Sequence, residues 1–169
     1  MFSKFFKKKE PPILKPEMLQ PIDTPISSAD AKELFKEWMV RIGHFSDKDP
    51  LDRLELSIHA GYMIDEMKEH EGLLREEVRD AKESVADAVK EEKDELRELK
   101  KLLAKCKDPS EKAEIETEIA DCEHRIAKFP NDWLAPRVKA LADFKADKRK
   151  FLVDYINMRV HGSQWREKS

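Results

Sequence analysis

From residue 51 to residue 108 the chain contains no proline, and its only glycines in that stretch are Gly61 and Gly72. Proline stops a helix by removing a donor and clashing with the preceding turn. A run this long without it, rich in Leu, Glu, Lys and Ala, favours a single helix. The apolar residues agree. Leu74, Val78, Ala81, Val85 and Ala88 recur at alternating steps of four and three, the spacing of a coiled-coil seam. Past Glu92 the pattern resumes at Leu96, Leu99 and Leu103, with a slip in register. Nearer the start, Leu51, Leu54, Ile58 and Tyr62 mark a first stripe, which Met63, Ile64 and Met67 widen. Gly72 costs about 1 kcal/mol relative to alanine, and no strong cap follows it. One helix over 50–106 is therefore expected, about 85 Å long at 1.5 Å per residue.

The segment Lys107-Asp108-Pro109-Ser110 reads as a turn. Asp108 suits an N-cap, and Pro109 suits the first helical position, where the missing amide costs nothing. A third helix over 109–129 follows, with Ile115, Ile119, Cys122, Ile126 and Phe129 again spaced by fours and threes. A short loop between two heptad segments predicts an antiparallel hairpin. Folding about the turn sets Leu103 near Ile115, Leu99 near Ile119 and Leu96 near Cys122. Those six residues are the expected hairpin seam. The part from Leu74 to Ala88 lies beyond the reach of the third helix, so either the fourth helix or a second copy of the chain is expected to cover it.

A first helix is expected over 29–42. Ser27 and Ser28 are good caps, Asp30 suits the positive N-terminal end, and Gly43 is a stop. It carries Leu34, Trp38 and Ile42 on one stripe. A fourth helix is expected over 132–161, after Pro130 ends the third and before Gly162 stops the fourth. Leu134, Val138, Leu141, Phe144, Phe151, Leu152, Tyr155, Ile156 and Val160 mark its buried side. Residues 1–28 hold five of the nine prolines, a spacing that forces extended chain. They are read as an extended or disordered tail before a helical domain over 29–162, with 163–169 as a C-terminal tail. The fold class is all-α: a long spine helix, an antiparallel coiled-coil hairpin and a small helical bundle at its base.

Charged residues make up 41% of the chain, and the net charge is −3. That share is well above the roughly 25% of an ordinary globular domain, and it leaves no charge-free stretch long enough for a membrane-spanning helix. The charge is unevenly placed. Residues 1–15 carry five lysines against Glu10, and residues 137–169 carry nine basic residues against four acidic ones, so the middle is strongly acidic. Such a layout favours oriented association. No secretory signal is visible. The chain is read as cytoplasmic, with Cys106 and Cys122 as thiols too far apart to pair.

None of the nucleotide-binding, nucleophile-elbow or zinc-protease motifs occurs. His59, Glu66 and His70 share a helix, but their spacing departs from the paired Glu-x-x-His pattern of di-metal bundles. No catalytic residue, cofactor or metal ligand is assigned.

The sharper signals concern partners. Phe2, Phe5 and Phe6 fall on one side of a helical wheel, and Lys4, Lys7 and Lys8 on the other. This is the pattern of a basic amphipathic segment that docks on a protein or lies peripherally on a membrane surface. Ile13, Leu14 and Leu19 extend the candidate docking tail. Lys145, Lys148, Arg149, Arg159 and Arg166 form a candidate basic surface near Trp165, the composition of a nucleic-acid contact. Interleaved Asp143, Asp147 and Asp154 dilute it, so nucleic acid is the weaker reading. The expected function is a non-enzymatic assembly, scaffold or adaptor factor that binds a protein partner and has scope to self-associate. The runners-up are a peripheral membrane protein and a nucleic-acid-binding accessory. No small-molecule substrate is inferred.

Overall fold

The structure, a computed structural model, describes residues 11–20 and 22–168. Five α-helices account for most of it: α1 (Ser28–Arg41), α2 (Pro50–Lys105), α3 (Pro109–Phe129), α4 (Ala135–Ala146) and α5 (Arg149–His161). Short 3-10 turns lie at Pro16–Met18 and Trp165–Lys168, and a π-helical turn spans Pro130–Leu134. There is no strand among the described residues. The chain is all-α, with one long helix, as its periodicity predicts. It divides into two compact units. One comprises the chain up to Glu69 together with the chain from Phe144 onward; the other is residues 70–143.

Helix ends follow local chemistry. Ser27 caps α1 through a capping box: its hydroxyl accepts from the Asp30 amide, and the Asp30 carboxylate accepts from the Ser27 amide. Those hydrogen bonds hold the Asp30 carboxyl below its ordinary range. Gly43 and Gly162 are the two described residues with positive φ, at 71° and 79°. A residue with a Cβ is strained there, so both serve as the stops where the helices give way to turns. Asp108 caps α3 by accepting from the Ser110 amide at 2.8 Å.

The fourth helix differs from expectation at its start and in its middle, and ends at His161 as expected. Pro130 does not stop the chain's helical course. It adopts helical φ and ψ, and the Ala135 amide reaches back five residues to the Pro130 carbonyl. Pro130 and Pro136 both lack donors, and each ring crowds the carbonyl four residues before it. A wider π turn between them relieves that crowding. The second departure is a break at Asp147 and Lys148, which divides the expected 132–161 helix into α4 and α5. The incoming tail makes that break. The Lys148 amide donates to the Ile26 carbonyl at 2.9 Å, and Asp147 Oδ1 accepts from the amides of Ile26 and Arg149.

In the first unit the core is built from α1, α5 and the first part of α2. Phe35, Met39, Met63, Leu152 and Ile156 are fully buried, and Phe35 meets Tyr155 edge-on at 5.9 Å. The residues before α1 belong to this core as well. Leu14, Leu19 and Ile26 are buried. The Asn157 amide accepts from the Leu14 amide at 2.7 Å and donates to the Leu14 carbonyl at 2.8 Å. The buried Arg149 guanidinium donates to the carbonyls of Pro16, Leu19 and Thr24. Much of this tail's polar backbone is satisfied by two side chains of α5, Arg149 and Asn157.

The second unit contains the hairpin. Lys100 pairs with Glu123 and Glu92 with Arg125, so α3 runs antiparallel to the second part of α2. Val78, Ala81 and Val85 are buried within the chain itself. Their seam needs no second copy to take it out of water.

Candidate protein-binding surface

The first part of α2 has two apolar faces. Leu56, Ala60, Met63 and Met67 lie in the core, at 6%, 0%, 0% and 2% exposure. Leu51, Leu54, Ile58 and Tyr62 remain exposed at 71%, 59%, 45% and 56%. At about 100° per residue the two sets lie on opposite sides of the helix. The sequence reading put the second set in the core, with Met63 and Met67 at its edge. The structure reverses them. Both sets have helical spacing, and α1 and α5 pack against only one side.

The exposed set is the apolar stripe of a helix with no described element over it. Its steps of three and four are those by which a helix presents anchors to a partner groove. Within about 60° of its centre on the helical wheel the charged residues are Glu55, Asp65 and Glu69, all acidic and all exposed. His59 sits between the two faces, against Phe45 and Tyr62, and its ring meets the guanidinium of Arg159. Burial and then the Arg159 charge hold the His59 pKa below its ordinary value.

The tail residues divide. Leu14 and Leu19 are spent on the chain's own core, and Ile13 is half-buried beside them. They are therefore not presented to a partner, because α5 offers hydrogen bonds that an extended strand needs. Phe2, Phe5 and Phe6 lie outside the described residues.

The basic surface also divides. Lys148 and Arg149 are buried. Lys148 Nζ donates to the Phe144 carbonyl at 2.7 Å and lies over the Phe144 ring, while Arg149 holds the tail. Neither is a surface cation. Lys145, Arg159 and Arg166 are exposed, but Arg159 engages His59 and Arg166 pairs with Asp154 at 3.0 Å. The patch available to phosphate is smaller than the sequence suggested.

In the hairpin, Leu99 and Cys122 are buried, and Leu96, Leu103, Ile115 and Ile119 are half-buried. The seam holds one polar cluster that the sequence reading passed over. Arg125 donates to Glu92 at 2.7 Å and to Cys122 Sγ at 3.2 Å, and it lies 3.9 Å from Glu95. Glu92 continues the Leu74-to-Ala88 spacing by one more step of four, a signal that it occupies the seam. The step from Glu92 to Leu96 is four again, a stutter. The Arg125 hydrogen bond holds the Glu92 carboxyl below the usual range. Burial, then the neighbouring Glu92 and Glu95, push the Cys122 thiol up. Glu92, Glu95 and Cys122 have ligand atoms within 4.8 Å of one another, but the cation among them is Arg125. A polar pair in an apolar seam favours one register over its neighbours.

A shallow depression of about 390 Å³ lies between the start of α1 and the Gly61–Ile64 side of α2. Ser28, Lys32, Asp65 and Lys68 line it, and Lys68 pairs with Asp65 at 3.0 Å. No known protein family, curated protein or solved structure matches this chain.

Proposed function

We propose that this protein is a non-enzymatic, cytoplasmic assembly, scaffold or adaptor factor that binds a protein partner through the exposed stripe Leu51, Leu54, Ile58 and Tyr62. One observation carries the reading: α2 has a second apolar face, opposite the first, that the chain's described residues leave in water. Covering apolar surface is worth about 25 cal/mol per Å², and a contiguous stripe of large side chains supplies the anchors that dominate protein interfaces. The acidic flank at Glu55, Asp65 and Glu69 selects a partner segment with basic edges. Among the described residues, no helix is long and apolar enough to cross a membrane.

The test is affinity capture from the native host with three baits: the wild-type chain, Leu54→Lys/Ile58→Lys, and Leu99→Asp. The stripe is supported by a partner held by wild type and Leu99→Asp but lost from Leu54→Lys/Ile58→Lys, provided circular dichroism shows the latter fully helical. A partner lost only from Leu99→Asp moves the binding site to the hairpin.

A further inference from the structure

We propose that the second part of α2 joins copies of this chain to one another, the basic sector of one copy lying against the acidic sector of the next. The surface lies in the hairpin unit and is separate from the stripe at residues 51–62.

The two sectors are read from the helix itself. Between residues 75 and 97, α2 carries six cations: Arg75, Arg79, Lys82, Lys90, Lys93 and Arg97. At about 100° per residue all six fall in a sector about 100° wide that contains no carboxylate. The same stretch carries nine carboxylates. Eight of them fall in a second sector about 120° wide that contains no cation. The ninth, Glu92, sits in the seam with Arg125. The helix surface is thus divided three ways, into seam, basic sector and acidic sector. A helix that is only solvated alternates the signs along its outer face.

The charges that the fold leaves over say what fits. Arg75, Arg79 and Arg97 pair with Glu71, Asp80 and Asp94 on α2 itself. Lys82, Lys90 and Lys93 have no ion-pair partner among the described residues, nor do Asp87 and Glu91 of the acidic sector, and all five are exposed. Ala86, Val89, Lys90 and Lys93 line a shallow depression of about 330 Å³ on the basic side. On the acidic side Leu73 and Leu102 stand out at 53% and 55% exposure. One copy therefore offers unpaired cations beside an apolar notch, and another offers unpaired carboxylates between apolar knobs. A nucleic acid would answer the cations alone, whereas a second copy answers both sectors. Each sector meets the other rather than itself, so the contact is heterologous and passes from copy to copy. Exposed ion pairs are individually weak and are screened by salt. The association is accordingly of low affinity and falls as ionic strength rises.

The experiment is analytical ultracentrifugation of the full chain at about 20 mM and about 0.5 M salt, where the Debye length differs about fivefold. At low salt the average mass is expected to exceed the monomer's and to climb with concentration; at high salt it is expected to return to the monomer's. Lys82→Glu/Lys90→Glu/Lys93→Glu and Asp87→Lys/Glu91→Lys are each expected to stay monomeric alone, with helicity by circular dichroism unchanged. Mixed together they are expected to regain the association, because each supplies the charge the other has lost. Lys15→Glu/Lys48→Glu/Lys150→Glu makes the same change of net charge in the other unit and is expected to associate as wild type does. Should a multiple variant lose helicity, Lys93→Glu and Asp87→Lys take its place in the same mixing test. A wild-type chain that is monomeric at low salt at every concentration overturns the proposal. So does association that survives both high salt and both reversals, which would place the contact elsewhere, the stripe included. Equal loss in Lys15→Glu/Lys48→Glu/Lys150→Glu, or a mixture that stays monomeric, also overturns it, since net charge and not the sectors would then govern. Binding of a single-stranded oligonucleotide that Lys82→Glu/Lys90→Glu/Lys93→Glu abolishes, by a chain that itself stays monomeric, would assign the basic sector to nucleic acid instead. None of these outcomes bears on partner capture by the stripe.

Discussion

The two parts of α2 carry the same kind of sequence and meet different fates. In residues 70–105 the buried apolar positions, Val78, Ala81, Val85 and Leu99, follow one seam, and Leu73 and Leu102 stand singly in water. In residues 50–69 there are two stripes on opposite faces, and the fold uses one. Periodicity reports that a face is apolar, because burial selects for it. It does not report which of two apolar faces the neighbouring helices reach. That depends on where α1 and α5 sit, and their placement is set by contacts far apart in sequence. A helix with a single stripe leaves one answer. A helix with two leaves one face over, and that face is the one we propose takes a partner.

The largest expected effect is in the single-seam part. Leu99 is buried between α2 and α3, so Leu99→Asp places an unpaired charge in an apolar seam at a cost of about 3 kcal/mol or more. Hydrogen exchange should lose protection over 90–129 while residues 31–41 and 149–157 of the other unit keep theirs. Equal loss in both units would show that the chain unfolds as one, and the division into two would carry no energetic meaning.

The comparison itself is sharpest between two leucines two residues apart. Leu56→Ala opens a cavity in the first unit and should cost about 2–4 kcal/mol. Leu54→Ala removes a side chain that is mostly in water and should change stability by about 0.5 kcal/mol or less. Chemical denaturation of the two variants reads both numbers. Similar losses would mean that the Leu54 face is packed after all.

Asn157→Ala tests the docked tail. It deletes two buried hydrogen bonds and leaves the Leu14 amide and carbonyl without partners, at a cost of about 2 kcal/mol. The expected signature is faster exchange at Leu14 and Leu19 and earlier proteolysis before α1. Nothing local in the sequence announces this clamp. Capping at Ser27 and Asp108, the glycine stops and the hairpin spacing were all readable, because each is decided within a few residues. The tail's partners are more than a hundred residues away, and an extended strand has no periodicity to betray them. The α4–α5 break was hidden for the same reason. It contains neither glycine nor proline and exists because Ile26 inserts its backbone there.

Gly72 lies just past the point where the first unit ends. A Cβ added there meets nothing within 4 Å. Gly72→Ala should therefore stabilise α2 by up to about 1 kcal/mol, through helix propensity alone. A loss of stability on thermal or chemical unfolding would show that the helix needs to bend at this residue.

The smallest effect concerns the boundary between the two faces, where His59 stands. Burial, and then the charge of Arg159, hold its folded pKa below the ordinary histidine value, while Glu55 pulls the other way. A histidine depressed in the folded state is protonated more readily when unfolded. Its contribution to stability is complete above a pH of about 6.5, the unfolded value, and is lost as pH falls toward the folded one. Stability measured by urea unfolding should therefore decline from pH 7.5 to pH 5.5. His59→Gln should flatten that decline without changing the value at pH 7.5 by much, since glutamine keeps a hydrogen-bonding group beside Arg159. The Glu92 carboxyl also has a depressed pKa, but its loss begins only in the carboxylate range, below this window. An unchanged slope in His59→Gln would mean that His59 is as solvated as the stripe beside it, and the dividing line between the buried and exposed faces of α2 would have to be drawn on the other side of residue 59.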